Sequence, residues 1–308
     1  MSSALQLPKK MYNQIDSNKR KSIILIILFV VMVALIGWAF GALTDLGYGG
    51  LIIAIIFAVS TSMYGYYSGD KVALWTSGAK QITSEENPYV YRMVENLSIT
   101  AGIPVPKVHI IADSTINAFA TGRDPEHASI AVTTGAIEKL ENEELEGVLA
   151  HEMSHIKNYD IRLMTLVIIC VGIIALLSNW FFRISFFGGR KSSREGGGQI
   201  QLIIMVIGII LLIFAPIIAQ LIKLAVSRKR EFLADASGAL LTRYPAGLAN
   251  ALEKIENQNI DPMLRANNST AHLFISNPFG QRARKGLAKL FLTHPPIGER
   301  ISALRAMA

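Results

Sequence analysis

Long runs of apolar residues alternate along the chain with stretches in which polar and apolar positions interleave. Four runs are almost wholly apolar: 22–40, 50–66, 163–182 and 200–226. At about 1.5 Å per helical residue, the first, third and fourth can each cross about 30 Å of hydrocarbon, and the second sits near the lower limit. Tyr64, Tyr66 and Tyr67 suit an interface at the end of the second run, and Pro216 marks an expected kink in the fourth. The interval between the second and third runs reads differently. A helix is expected from Asn87 to Ala101, closed by Ile103-Pro104-Val105-Pro106 and followed by short strands over 107–112, 117–121 and 128–133. The next helix is expected to take Asn142 as its cap, with Glu143, Glu144 and Glu146 at the positive end of the dipole, and to run on towards the third apolar run. Beyond residue 226 the pattern is helical, punctuated by Pro245, Pro262 and Pro295-Pro296, and the Gly/Ser-rich patch 188–198 reads as a mobile loop.

Composition agrees with the apolar runs. Of 308 residues, 51% are hydrophobic and only 17% charged, and the mean hydropathy is +0.37, values that point to a membrane protein. The net charge of +7 does not indicate a nucleic-acid partner, because much of it flanks apolar runs (Lys9, Lys10, Lys19, Arg20, Lys21) with no interleaved aromatic stripe. That leader, set against a linker 41–49 without Lys or Arg, places the N terminus in the cytoplasm and makes the first two runs a hairpin. Arg183, Arg190, Lys191 and Arg194 resist simple counting: either the third and fourth runs do not fully cross, or the first hairpin dictates the topology. The first run is too long for the core of a signal peptide and reads as a retained anchor. A single cysteine, Cys170, excludes an intrachain disulfide and a cysteine-based zinc site, and reads as a small buried hydrophobe. The chain thus divides into a transmembrane hairpin (1–67), a first globular part (68–162), a second apolar hairpin (163–226) and a second globular part (227–308).

The chemistry sits in His151-Glu152-Met153-Ser154-His155. Histidines four residues apart on a helix project from one face and can grip one metal ion, while Glu152, off that axis, can take the proton of a water that zinc acidifies to about pKa 7. The expected product of that arrangement is peptide-bond hydrolysis. Asn158 and Ile161 stand where the extended metzincin pattern needs Gly and His, so the third ligand must come from elsewhere. Glu231 follows the fourth apolar run, and Arg190 divides the chain between His155 and Glu231 into arms of near-equal length. A helical hairpin with such arms returns Glu231 to the level of His155, with Asp235 one turn on and placed to hydrogen-bond a ligating histidine. The competing reading makes Glu231 an ion-pair partner of Arg228 or Arg230.

Four stretches in this order, Asn117-Ala118-Phe119-Ala120-Thr121-Gly122, the HEMSH helix, SRKREFLAD (227–235) and Thr293-His294-Pro295-Pro296-Ile297-Gly298-Glu299-Arg300, resemble the HtpX family of membrane metallopeptidases, relatives of the type I CAAX prenyl proteases. Phe232 stands where that family often has Tyr. The resemblance implies an α+β membrane protein: four apolar helices and a mainly helical cytoplasmic peptidase domain with a small β-sheet, holding one Zn2+ per chain. It further implies that Asn117, Ala118, Phe119 and Ala120 form an edge strand to which an extended substrate adds, and that His294 and Arg300 stabilise the oxyanion. Without it, those four residues read simply as a strand. An endopeptidase of membrane or misfolded proteins in a bacterial inner membrane, acting in quality control, is the expected function; its partners are protein substrates and lipid, and the sequence does not give an oligomeric state. A transporter with structural zinc, or a silent scaffold, is the alternative. The first lacks ionisable side chains in the middle of the apolar runs, and the second is at odds with an intact set of His151, Glu152 and His155. His109, His127 and His272 read as structural or surface residues.

Overall fold

A computed structural model describes residues 6–42, 46–187, 228–258, 263, 265, 270–276, 278 and 295–307. The fourth apolar run, the patch 188–198, Pro262 and His294 lie outside the described residues. What is described is mostly helical, with a small mixed sheet.

Two long helices open the fold. Helix α1 (Gln6–Ala42) takes in the polar leader, which continues without a break into the first apolar run. Helix α2 (Tyr48–Ser77) runs well past the apolar run 50–66 and ends at Gly78, a left-handed cap with φ 71 whose N–H bonds the Trp75 carbonyl at 3.1 Å. Both contain spans, of 28 and 30 residues, long and apolar enough to cross a membrane. Glycines let their backbones meet, since a Cβ on Gly50 would lie 2.8 Å from the Gly41 Cα.

The sheet has the order β1–β2–β4–β3, built from β1 (Lys80–Gln81), β2 (Lys107–Ile111), β3 (Ala118–Gly122) and β4 (Ala128–Thr133). β2 and β4 are parallel, and β3 pairs antiparallel with β4 and forms the edge. The two-residue β1 has no alternation of its own, so its sequence gives no strand signal. Period-two alternation sorts β3 and β4 between two cores. Ala118, Ala120, Ile130 and Val132 face a core shared with helix α3 (Pro88–Ala101) and helix α5 (Asn142–Lys157). Phe119 and Ala131 face a second core shared with α1 and helix α6 (Asp160–Phe187). Helix α4 (Thr134–Lys139) follows β4 directly.

Asn142 does not cap α5. Glu141 precedes the first turn and the Glu144 carboxylate accepts its N–H at 2.8 Å, a capping box, while Asn142 Oδ1 accepts from the Tyr89 hydroxyl at 3.2 Å. Nor does α5 run into the third apolar run. It stops at Asn158, Tyr159 turns the chain with φ 58, and α6 starts at Asp160. α6 then packs along α2, where Gly65 meets Ile169 and Gly69 meets Thr165. Helices α7 (Arg228–Thr242), α8 (Pro245–Asn257) and α9 (Ile297–Arg305) complete the described chain. Pro245 occupies the start of α8, where its missing N–H costs nothing.

α5 packs against α3, α6, α7, α8 and β3. It is buried almost throughout from Glu144 to Ile156. Gly147 lets α8 approach closely, since a Cβ there would lie 2.7 Å from the Leu248 nitrogen. Gly238 does the same for α7, where a Cβ would lie 2.9 Å from the His151 nitrogen.

Candidate metal centre

His151 and His155 stand on the buried face of α5, and Glu231 and Asp235 stand on the face of α7 that Gly238 presses against it. Residues 231, 235 and 238 share that face because they recur at one-turn intervals. The two Nε2 atoms are 3.2 Å apart; His151 Nε2 lies 3.8 Å from Glu231 Oε2 and His155 Nε2 lies 3.7 Å from Glu231 Oε1. All three side chains are buried. Four-coordinate zinc with ligand bonds near 2.1 Å separates its ligand atoms by about 3.4 Å, so the spacing fits such an ion.

Charge argues the same way. His151 Nδ1 lies 2.9 Å from Asp235 Oδ1, and His155 Nδ1 lies 3.0 Å from Asp160 Oδ2. An ionised carboxylate only accepts, so each Nδ1 is fixed as the donor and each Nε2 lone pair turns inwards. Two lone pairs and a carboxylate thus converge on one point, a donor set suited to a cation. In the metal-free protein a proton serves. Burial lowers the pKa of His155, but the Asp160 hydrogen bond and the Glu231 charge outweigh it and hold the group up at about 9. At His151 burial dominates and the pKa falls to about 4.

Glu152 is also buried, and desolvation pushes its pKa up to about 7, against the pull of the His155 charge and of a hydrogen bond from the Ala120 backbone. Arg300 of α9 is fully buried and grips Asp235 with two nitrogens, Nε at 2.8 Å and Nη2 at 2.6 Å. Its Nη1 finds no hydrogen-bond partner among the described residues and lies 3.9 Å from Glu231 Oε2.

Asn117 and β3 run beside this cluster. Asn117 O accepts the Thr133 N–H at 3.0 Å, so residues 117, 119 and 121 point their backbone groups at β4, and 118, 120 and 122 point theirs away. The outward groups at both ends have partners. Ala118 O accepts the Ile275 N–H at 3.1 Å, and the Gly122 N–H bonds Thr165 Oγ1 at 3.2 Å. Ala120, between them, faces Glu152.

A family model of peptidase family M48 matches residues 84–308. The chain belongs to peptidase family M48. As an M48 member it is a metalloprotease, a hydrolase of peptide bonds. Several relatives carry the name Protease HtpX homolog. That of Dictyoglomus turgidum is 44% identical over 97% of this chain and 96% of its own length. That of Tropheryma whipplei (strain Twist) is 45% identical over 96% of this chain and 98% of its own. The HtpX resemblance drawn from the four sequence stretches therefore holds over nearly the full chain. Among solved structures, Ste24p of S. mikatae is similar at a TM-score of 0.48 with 18% identity, covering 96% of this chain and 66% of that one.

Of the residues singled out by sequence, the fold brings together His151, His155, Glu231, Asp235, Glu152 and Arg300, with Asn117 to Ala120 alongside. Glu231 places its carboxylate oxygens 3.8 and 3.7 Å from the two histidines, with Arg300 at 3.9 Å. His109 and His272 are buried and bonded to backbone carbonyls of Lys107 and Met164. In the surface group Asp124, Glu126 and His127, Asp124 caps the short 3-10 turn that holds the other two, its Oδ1 accepting from the His127 N–H at 2.9 Å. Sequence reasoning missed Asp160, Arg230 and Asn18. Asp160 left a trace, an acid five residues beyond the second histidine; Asn18 left none.

Proposed function

We propose that the chain is a membrane-embedded endopeptidase that holds one zinc ion on His151, His155 and Glu231 and cuts membrane or misfolded proteins at the cytoplasmic face, in membrane protein quality control. The observation that carries the metal reading is the convergence of three buried acceptors whose outer nitrogens are locked as donors by Asp235 and Asp160. When bound, zinc supplies a Lewis acid for the scissile carbonyl and acidifies water near the site.

The chain's own groups do the rest. Glu152, with a pKa raised by burial to about 7, is poised to take a proton from the attacking water and return it to the leaving amine. Arg300 Nη1, the guanidinium nitrogen that Asp235 does not hold, is the group available to meet the oxyanion, and the HtpX resemblance pairs it with His294. An extended substrate would add to β3 at Ala120, where its backbone would displace Glu152 from the Ala120 N–H, between the ends clamped by Ile275 and Thr165. The bilayer reading rests on exposed apolar side chains along α1 and α2, among them Ile23, Ile27, Trp38, Ile52, Ile56 and Tyr64. The basic leader supports a cytoplasmic active site, and the quality-control role rests on the likeness to HtpX proteases.

Metal content by mass spectrometry tests the ligand set. Glu231→Ala is expected to lose zinc and cleavage of an unfolded reporter protein together. One zinc per chain and wild-type cleavage in that variant would overturn the assignment.

A further inference from the structure

Behind His155 lies a buried polar network that the peptidase chemistry does not itself require. Asp160 spends one oxygen on His155 Nδ1 at 3.0 Å. Its other oxygen accepts from Asn18 Nδ2 at 2.6 Å and lies 3.5 Å from Arg230 Nη1. Asn18 also donates to the Asn158 carbonyl at 3.0 Å, and its Oδ1 accepts from Arg230 Nη1 at 3.2 Å. Asn18, Asp160 and Arg230 are each at most 1% exposed. Burying a carboxylate, a guanidinium and an amide together is costly unless their groups are paired, and here each member fixes the next.

Three helices meet at this point. Asn18 belongs to α1, at the foot of the first candidate membrane span. Asp160 opens α6, and Arg230 precedes Glu231 on α7. The turn that delivers Asp160 is Tyr159, whose φ of 58 is a conformation a bulky residue adopts only when its surroundings hold it there. Its ring lies 4.6 Å from Lys19 Nζ and 5.1 Å from Arg162 Cζ, so adjacent residues of α1 grip both the turn and the carboxylate beyond it. A buried pair serving packing alone has no reason to end on the ring nitrogen of a metal-site histidine; this one does.

We propose that Asp160 is a positioning residue for His155, held in place by Asn18 and Arg230, and that through Asn18 the first apolar helix is a working part of the metal centre. The inference rests on the proposed metal set. Asp160 fixes the His155 tautomer and ring orientation as Asp235 does for His151, but from the membrane side. Because Asp160 accepts donors at both oxygens, an amide of the same shape can serve only one of them.

The test uses the full-length protein in detergent, with Co2+ as the probe: its d–d absorption reports ligand geometry, and competition with a chelator gives affinity. Wild type is expected to bind one Co2+. Asp160→Asn is expected to bind about 10- to 100-fold more weakly, the usual effect of removing such a partner, with an altered spectrum. Asn18→Ala is expected to bind several-fold more weakly, while the metal-free protein still unfolds cooperatively. Wild-type affinity and spectrum in both variants would overturn the inference and leave the metal set standing. If Asp160→Asn does not fold, Asn18→Ala decides alone by the same readout. A wild type that binds no Co2+ removes the metal set, and this inference with it.

Discussion

His151 and His155 sit side by side on one helix face, each with a carboxylate at Nδ1, yet the metal-free protein shifts them in opposite directions, to about 4 and about 9. The difference lies in what each shares. Burial lowers both; at His151 the Asp235 bond and charge do not offset it, and the Arg300 and His155 charges add to the fall, whereas at His155 Asp160, Glu231 and Glu152 together outweigh it. For His155 the folded pKa lies above its ordinary 6.5, so its contribution to stability is complete below about 6.5 and disappears as pH rises through about 9. A metal must displace that proton. Binding between pH 7 and 8 is therefore expected to release about one proton per ion, and affinity to fall about tenfold per pH unit as the solution is acidified. Calorimetry in two buffers of different ionisation enthalpy measures this, and a buffer-independent heat would contradict it. Arg300 offers a second test at this scale. Arg300→Lys keeps the charge but loses the fork that holds Asp235 while leaving Nη1 for the oxyanion. Its kcat is expected to drop about 10²- to 10³-fold with metal still bound; an unchanged kcat would remove Arg300 from the chemistry.

Among elements, the pairing of α5 with α7 decides whether the site exists. Gly238 is where the two backbones touch, and a Cβ there would meet the His151 nitrogen at 2.9 Å. Backbone on both sides leaves little room to yield, so Gly238→Ala is expected to push α7 outwards and to lower both the unfolding temperature and metal affinity, the latter about tenfold or more. Wild-type values for both would mean that α7 is not positioned by this contact. Much of this pairing was legible in the sequence. The i, i+4 histidines fix a helix face, and the expectation that Glu231 returns to it agrees with where Glu231 lies, although the returning arm of the second apolar hairpin invoked for it falls outside the described residues. Strands β3 and β4 were legible for a related reason: they are buried on both faces and dense in β-branched and small residues. What escaped has physical causes. β1 is too short for a period, and Glu141 rather than Asn142 caps α5, the Asn142 side chain accepting from Tyr89 instead. The break at Tyr159 was hidden because no glycine or proline marks the turn, and the grip of Lys19 comes from a helix far away in the sequence. Asp160 was missed with it, and Asn18 was unreadable because its partner is 142 residues away.

For the whole molecule, the apolar hairpin of α1 and α2 and the peptidase core are one structure rather than an anchor tied to an enzyme. The second core runs from Phe29 and Met32 of α1 through Phe119 of β3 to Leu163 and Val167 of α6. The basic leader and the exposed apolar face of the hairpin together give a topology that can be measured. In a Cys170→Ala background, Glu85→Cys, exposed just before α3, is expected to resist a membrane-impermeant maleimide in intact spheroplasts and to react once they are permeabilised. Labelling in intact spheroplasts would place the peptidase core on the opposite face.

The most direct measurement of the catalytic assignment compares wild type with Glu152→Gln for zinc content and for cleavage of an unfolded protein substrate. Glu152 lies in the site but outside the ligand set, so the variant is predicted to keep one zinc per chain and to lose cleavage by about 10² or more. Cleavage at the wild-type rate by a zinc-loaded Glu152→Gln protein would contradict it.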